Sequence, residues 1–205
     1  MESKIVVKVG LIGDAQVGKT SLMVRYVDRI FDSNYIETLG VNFLEKKRKV
    51  KGQDVTLSIW DLGGQIEFNN MMPLVCTDAA AILFIFDLSR KTTLHSIRKW
   101  YHQARHYNKH AIPILVGTKY DYFCGFPPEE QESTIVLARK VAKAMRAPLV
   151  FCSASHSINV NRIFKLVLSR AFKLKVTVPT NSDPSEPLLE LNAEPEKDRD
   201  RERRS

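Results

Sequence analysis

The sequence predicts an α/β fold with a mostly parallel sheet, and two patterns support that prediction. Apolar runs rich in β-branched residues recur with the length of buried strands. They are Ile5–Ile12, Val55–Trp60, Ala80–Asp87, Ile112–Val116 and Leu149–Cys152. Helix-length segments with apolar residues three and four positions apart follow the later runs, at 92–109, 129–146 and 158–173. Buried strands that alternate with helices are typical of parallel sheets.

A sixth strand is predicted at one edge of this sheet. Residues Val41–Val50 begin apolar and then turn basic, and the short segment 51–54 connects them to the run Val55–Trp60. So short a connection joins neighbouring strands as a hairpin, in which the two strands run antiparallel. Lysines on an edge strand oppose pairing with another sheet. The predicted sheet therefore has six strands, one of them an antiparallel edge strand.

Charge divides the 205 residues into two parts. The chain holds 31 basic and 23 acidic residues, for a formal charge of +8. Residues 181–205 hold eight acids and five bases, so this part carries −3 and the preceding part +11. The length fits a single domain, which we place at 1–178. The segment 179–205 is predicted to be a disordered charged tail, in which Leu188, Leu189 and Leu191 leave open a short docking segment.

The cysteines and the two ends of the chain favour a cytoplasmic protein with no direct lipid anchor. Cys76, Cys124 and Cys152 are an odd number at unrelated spacings, as expected for free thiols in a reducing compartment. The first residues lack the zones of a signal peptide. No cysteine follows Cys152 and no glycine follows Met1, so neither C-terminal prenylation nor N-terminal myristoylation is expected.

The loop after the first predicted strand has the pattern of a phosphate-binding loop. It fits G-x-x-x-x-G-K-[ST] between a strand and a helix, the context that the pattern requires. The predicted phosphate-binding residues are Gly13, Asp14, Ala15, Gln16, Val17, Gly18, Lys19, Thr20 and Ser21. Glycines let successive N–H groups point at an anion, and Lys19 would reach the β- and γ-phosphates while the Thr20 hydroxyl binds Mg²⁺. The alternative is a strand-to-helix turn that binds nothing.

A second group of residues suited to a nucleotide follows another predicted strand. Asp61 comes directly after the run that ends at Trp60, and Gly64 and Gln65 follow it. A carboxylate at that position can hold the Mg²⁺ hydration shell, a glycine N–H can meet the γ-phosphate, and a glutamine can orient a water. Such a short motif is by itself only a weak turn signal, and its place about forty residues after the phosphate-binding loop makes it a candidate site.

Together these motifs resemble the Ras-like small GTPases over about residues 5–175. The resemblance rests on the phosphate-binding loop and on the segments Tyr35–Phe43, Trp60–Gln65, Thr118–Asp121 and Ser153–Ser155. It implies a three-layer P-loop GTPase domain with a six-stranded, mostly parallel sheet and five helices. It also implies that Thr38 closes on Mg²⁺ and the γ-phosphate, so that the metal ligands are Thr20, Thr38 and Asp61. Lys19 and Gln65 are then the catalytic residues, acting on GTP.

The same resemblance implies how the base is recognised. Asp121 would accept hydrogen bonds from guanine N1 and N2, the Lys119 stem would cover one face of the base, and the Ala154 N–H would meet guanine O6. Thr118 and Ser153 complete the two guanine motifs. This sequence departs from the family pattern at three positions, since Thr118 replaces asparagine, Ser155 replaces lysine, and Ala15 stands where Ras has glycine. We therefore expect lower nucleotide affinity, less rigid loops and slow unaided hydrolysis.

Within the family, the motifs resemble the fungal branch that promotes septum formation and mitotic exit. Its segments are Thr38–Phe43, Trp60–Gln65, Met71–Cys76, Ile112–Gly117 and Thr118–Asp121. The resemblance implies a monomeric GTP/GDP switch at the spindle pole body that recruits a protein kinase. The implied partners are a GTPase-activating protein complex, an exchange factor, the effector kinase and a scaffold, with no nucleic acid and with placement through protein partners.

Three alternatives remain open on the sequence alone. A Ras-like binding or scaffold module that does not cycle is favoured by Ala15, Thr118 and Ser155 and disfavoured by Gln65 and Thr38. A phosphate-loop ATPase or small-molecule kinase leaves the guanine motif unexplained. Direct nucleic-acid binding rests on charge alone, because no reader motif is present. Arg98, His102, Arg105 and Lys109 form one basic stripe on the helix predicted at 92–109, either a solvated face or a dock for an acidic partner.

Overall fold

The computed structural model describes residues 5–34, 37–175 and 177–191. In this part of the chain one seven-stranded sheet has the order β2-β3-β1-β4-β5-β6-β7. The strands are β1 Ile5–Ile12, β2 Val41–Val50, β3 Gln53–Leu62, β4 Ala81–Asp87, β5 Ile112–Thr118, β6 Leu149–Phe151 and β7 Leu189–Glu190. The five inner strands run parallel, whereas β2 and β7 are antiparallel to their neighbours.

Six α-helices cover the two faces of the sheet. They are α1 Lys19–Asp28, α2 Met72–Cys76, α3 Lys91–Tyr107, α4 Tyr120–Phe123, α5 Pro128–Met145 and α6 Val160–Ala171, with a 3₁₀ turn at Ile66–Met71. Buried side chains of α1 and α6 pack on one face of the sheet, and those of α2, α3 and α5 pack on the other. Every residue of β4 is buried because this strand lies at the centre. The predicted three layers are present.

The predicted counts of six strands and five helices are wrong, since the described residues form seven strands and six helices. The helices α2 and α4 have five and four residues, so they are too short to show a helical period in the sequence. The extra strand β7 has two residues and lies in the acidic C-terminal part. It gives the sheet a second antiparallel edge where one was predicted.

The C-terminal segment differs from the predicted tail over the residues that the structure describes. Leu188 and Leu189 are fully buried, and β7 pairs with β6. Arg139 of α5 forms an ion pair with Glu190 at 2.6 Å. Burying a leucine side chain contributes about 1.5–3 kcal/mol, which offsets the entropy lost when such a segment is ordered. The docking segment left open by the leucines is therefore the part that folds, and residues 192–205 lie outside the described residues.

The parallel strands place their carboxyl ends along one edge of the sheet. The loops after β1, β3, β4, β5 and β6 meet there, which is where α/β sheets of this kind bind ligands. Among the residues that the structure describes, no helix is both long and apolar enough to cross a membrane.

Candidate functional site

A cavity of about 820 Å³ opens at this edge of the sheet. The predicted residues that line it are Ala15, Gln16, Gly18, Lys19, Thr20, Ser21, Thr38, Gly64, Lys119, Asp121 and Ala154. The other predicted residues are Gly13, Asp14, Val17, Asp61, Gln65, Thr118 and Ser153, and they are not part of the lining. The volume lies within the range of small-molecule and cofactor sites.

The phosphate-binding loop adopts a conformation that depends on its glycines. Gly18 precedes α1 with a φ of +89°, in the left-handed region. A Cβ at Gly13 would lie 2.1 Å from the carbonyl oxygen of Ile85, so no larger residue fits there. The Lys19 ammonium folds back over the loop and donates to the carbonyl oxygens of Gly13 and Asp14, at 3.0 and 2.7 Å. Burial lowers the pKa of Lys19 to about 8, and a bound anion would again favour its charged form.

Three oxygen-bearing side chains meet beside Lys19. The hydroxyl oxygens of Thr20 and Thr38 lie 2.6 Å apart, and both hydroxyls donate to Oδ2 of Asp61, that of Thr38 at 3.4 Å. Asp61 is fully buried, and its Oδ1 has no hydrogen-bond partner among the described residues. Burial also raises the pKa of this carboxyl group. A buried unpaired carboxylate oxygen beside two hydroxyls is a donor set that a hard cation such as Mg²⁺ completes, so these residues fit the metal.

The segment after β3 rests on the phosphate-binding loop. A Cβ at Gly64 would lie 2.2 Å from the backbone nitrogen of Ala15, so only glycine can approach this closely. The next side chain, Gln65, donates from its amide nitrogen to the Glu37 carboxylate. Gly64 therefore packs against the phosphate-binding loop and lines the cavity, whereas the Gln65 side chain is bonded to the segment that contains Thr38.

At the other end of the cavity, Thr118 links two parts of the structure. Its hydroxyl lies 2.6 Å from the carbonyl oxygen of Val17 in the phosphate-binding loop and 3.0 Å from that of Phe86. The side chain is buried and does not line the cavity. A hydroxyl has one proton to donate, so Thr118 can bind a carbonyl of the loop and has no second donor for a base.

A buried carboxylate connects the guanine motif to the phosphate-binding loop. Oδ2 of Asp87 lies 2.7 Å from the Lys119 ammonium and 2.9 Å from Nε of Arg90, and Oδ1 accepts from the hydroxyl of Ser89 at 2.6 Å. Arg90 in turn donates to the carbonyl oxygen of Ala15 at 3.0 Å. Burial acts to raise the pKa of Asp87, but the hydrogen bonds from Lys119, Ser89 and Arg90 outweigh it and lower the pKa.

Sequence reasoning missed Asp87 and Arg90, although a signal was available. Asp87 ends β4, and a charged residue at the carboxyl end of a buried strand lies at the ligand-binding edge of the sheet. It also missed apolar residues of the lining, namely Ile30, Phe31 and Tyr122. These three side chains are exposed, and they offer apolar surface to the face of a base.

The loop after β6 brings the second guanine motif to the same end. The Ser153 hydroxyl accepts from the backbone N–H of His156 at 3.1 Å and lies 2.9 Å from the Ser155 hydroxyl. Nδ1 of His156 lies 3.7 Å from Oδ2 of Asp121. Ala154 in the loop after β6 and Asp121 in α4 thus line one cavity.

Comparison with known proteins decides the family. Residues 8–173 match the family model described as the Ras family. The chain belongs to the Ras family. The resemblance proposed from the sequence motifs is therefore confirmed, and the chain is a member of a family of GTP hydrolases.

Among individual Ras-family proteins, the chain is similar to Septum-promoting GTP-binding protein 1 of Schizosaccharomyces pombe, with 58% identity over 92% of this chain and 96% of that protein. It is 32% identical to Ras-related protein SEC4 of Saccharomyces cerevisiae over 78% of this chain and 72% of that protein. It is 34% identical to human Ras-related protein Rab-36 over 82% of this chain and 63% of that protein. The similarity to the septum-promoting protein thus extends over nearly the whole of both chains.

Proposed function

We propose that this chain is a small GTPase switch that binds GTP and GDP with Mg²⁺ and hydrolyses GTP slowly. The observation that supports this is the convergence of three groups on one cavity: the phosphate-binding loop, the hydroxyls of Thr20 and Thr38 that bond to the buried Asp61, and residues of the two guanine motifs. A nucleoside triphosphate has a matching sequence of parts, with phosphates at one end and a base at the other.

At the phosphate end, the loop N–H groups and Lys19 bind the phosphate oxygens. Thr20, Thr38 and Asp61 hold Mg²⁺, which when bound supplies positive charge that offsets the charge of the phosphates. Gly64 offers its N–H to the γ-phosphate. Gln65 must leave Glu37 before its carboxamide can orient the attacking water, so the bond between these two side chains opposes unaided hydrolysis.

At the guanine end, Asp121 accepts from the N1 and N2 donors of guanine, which adenine lacks, and the Ala154 N–H donates to O6. The Lys119 stem covers the base while its ammonium stays on Asp87. Thr118 holds the phosphate-binding loop through Val17, and Ser153 shapes the loop that carries Ala154. Selectivity for guanine then depends mainly on Asp121.

Stimulated hydrolysis requires an activating protein. Among the residues that the structure describes, Arg90 reaches the phosphate-binding loop, and its guanidinium is bonded to Asp87 and to the Ala15 carbonyl. It is therefore engaged in holding the loop. An arginine supplied by an activating protein accelerates related GTPases by roughly 10³- to 10⁵-fold.

In the cell, this switch recruits a protein kinase cascade that controls septum formation, cytokinesis and mitotic exit. Support comes from the 58% identity to a protein named for promoting the septum. The chain acts at the spindle pole body through a scaffold, with an activating protein complex, an exchange factor and an effector kinase as partners.

A nucleotide panel tests the biochemical part. The purified chain with Mg²⁺ is titrated with fluorescent GDP, GTP, ADP and ATP, and single-turnover hydrolysis is followed with and without an extract of dividing cells. We expect tight binding of guanine nucleotides only, with slow hydrolysis that the extract accelerates. Equal binding of ATP would overturn the guanine assignment, and GTP binding without stimulated turnover would favour the non-cycling module.

A further inference from the structure

Arg25 connects the helix of the phosphate-binding loop to the loop of the second guanine motif. It lies in α1, which begins at Lys19. Its Nε donates to the carbonyl oxygen of Ala154 at 2.7 Å, and its Nη2 donates to the carbonyl oxygen of Ser155 at 2.6 Å. Its remaining nitrogen, Nη1, donates to the carbonyl oxygen of Arg29 at 3.0 Å, at the end of the same helix. The guanidinium thus binds both segments at once.

The geometry of these bonds suits arginine and no other residue. A guanidinium presents Nε and one Nη in a fixed plane, so it can bind two consecutive carbonyl oxygens together. That pairing fixes the orientation of two consecutive peptide units, the one after Ala154 and the one after Ser155. Hydrogen bonds from a charged donor are shorter and stronger than neutral ones. A lysine would bring the same charge but could not hold both carbonyls in one plane.

The bonds from Arg25 matter because the carbonyl of Ala154 has little other support. The carbonyl of Ala154 accepts one other described bond, from the Ser157 N–H at 3.4 Å, which is long. Thr118 binds the phosphate-binding loop, and Ser155 has a short side chain that bonds within its own loop. Arg25 lies six positions after Lys19 in the helix, which corresponds to about 9 Å along the axis. One rigid helix therefore contacts the phosphate end through its first turn and the guanine end through Arg25.

We infer that Arg25 is a positioning residue that holds the guanine loop in its binding geometry and thereby sets the rate at which guanine nucleotides dissociate. This inference rests on the proposed function, because it assigns the Ala154 N–H to guanine O6. Arg25 does not line the cavity and acts through the Ala154–Ser155 peptide.

The test compares Arg25→Gln and Arg25→Lys with wild type, and it uses Arg98→Gln on the exposed face of α3 as the control. Each full-length protein is loaded with fluorescent GDP, and dissociation is followed after excess unlabelled GDP is added. We expect Arg25→Gln to release GDP about 10-fold faster or more, from the loss of charge-assisted bonds. Arg25→Lys should recover part of the loss, and Arg98→Gln should behave as wild type.

A general loss of stability is separated from positioning by two further measurements. The association rate should be unchanged, because the open loop can still admit nucleotide. The ratio of the variant's dissociation rate to that of wild type should be the same with Mg²⁺ and with EDTA, since Arg25 acts at the guanine end and the metal at the other.

Several results would overturn the assignment. One is a wild-type dissociation rate in folded Arg25→Gln, and another is a rate ratio that disappears in EDTA. If Arg25→Gln does not fold, the test depends on Arg25→Lys alone. A wild-type rate of GDP dissociation in Arg25→Lys would contradict the argument that a planar guanidinium is needed to bind both carbonyls. Failure of the wild-type chain to bind GDP would instead overturn the proposed function, so the two failures are distinguishable.

Discussion

The phosphate end and the guanine end of the cavity are built in different ways. At the phosphate end, one continuous segment, Gly13–Ser21, contributes six residues to the cavity lining, and its glycines permit the necessary backbone conformation. At the guanine end, the motif residues are held by side chains from other elements, among them Asp87 at the end of the central strand β4 and Arg25 on α1. The first end is thus formed by local sequence and the second by long-range contacts.

This difference explains how the chain tolerates departures from the family pattern. At the phosphate end, every predicted residue except Ala15 has the residue type that the family pattern has at that position. The departures Thr118 and Ser155 both lie at the guanine end, where Arg25 and Asp87 supply contacts from elsewhere. The expected loss of loop rigidity is therefore opposed by bonds that the motifs do not contain.

The largest effect is expected from Thr20→Asn, which removes the hydroxyl that faces Thr38 and Asp61. Mg²⁺-dependent affinity for GTP should fall on the order of 100-fold or more, because a bound metal contributes several kcal/mol at such a site. Equilibrium titration with fluorescent GTP, with and without Mg²⁺, measures it. The exposed Thr92→Asn on α3 is the matched control. Unchanged Mg²⁺-dependent binding in Thr20→Asn would show that the phosphate end is not built around these oxygens.

The corresponding change at the guanine end is Asp121→Asn. It exchanges the carboxylate acceptor for an amide, which suits xanthine instead of guanine, and the preference should shift by about 100-fold toward xanthine nucleotides. Competition between GDP and xanthosine diphosphate measures this shift. Because the proposed role of Asp121 is to bind the base and not the metal, Mg²⁺ dependence should stay as in wild type. A variant that still prefers GDP would refute the base-recognition assignment.

The difference between the two ends of the cavity also explains which features could be predicted from the sequence and which could not. Six of the strands and the phosphate-binding loop follow from periodicity and from one contiguous motif, and the three layers follow from the resemblance to the family, so they were predicted. The hydrogen bonds of Arg25 join residues about 130 positions apart in the sequence. A local sequence pattern cannot indicate a contact between residues so far apart. The strand β7 has only two residues, in a segment whose charge resembles that of a disordered tail. Its folding depends on the hydrophobic site that Leu188 enters, which only the tertiary structure creates.

The third prediction tests whether the guanine end depends on that C-terminal segment. Leu188 is fully buried, and its carbonyl accepts from the N–H of Phe151 at 2.8 Å, two residues before Ser153. Leu188→Ala should lower the free energy of unfolding by about 2 kcal/mol, from lost burial and the cavity left behind. Urea unfolding measures this, with the exposed Val136→Ala as the control. Equal stability of Leu188→Ala and wild type would mean that this segment is not part of the folded domain.

The smallest effect is expected from Asp87→Asn, and its dependence on pH identifies its origin. Since the pKa of Asp87 is lowered in the folded chain, the carboxylate stabilises the fold above its unfolded pKa of about 3.9. That contribution is lost as the pH falls through the folded pKa. At pH 7 the variant should therefore be less stable by about 1–2 kcal/mol, from weakened bonds to Lys119 and Arg90. The difference from wild type should shrink below about pH 4, whereas Asp54→Asn at an exposed position should change little throughout. Urea unfolding at a series of pH values measures both, and a difference that stays constant down to pH 3 would show that the charge of Asp87 does not join the two ends of the cavity.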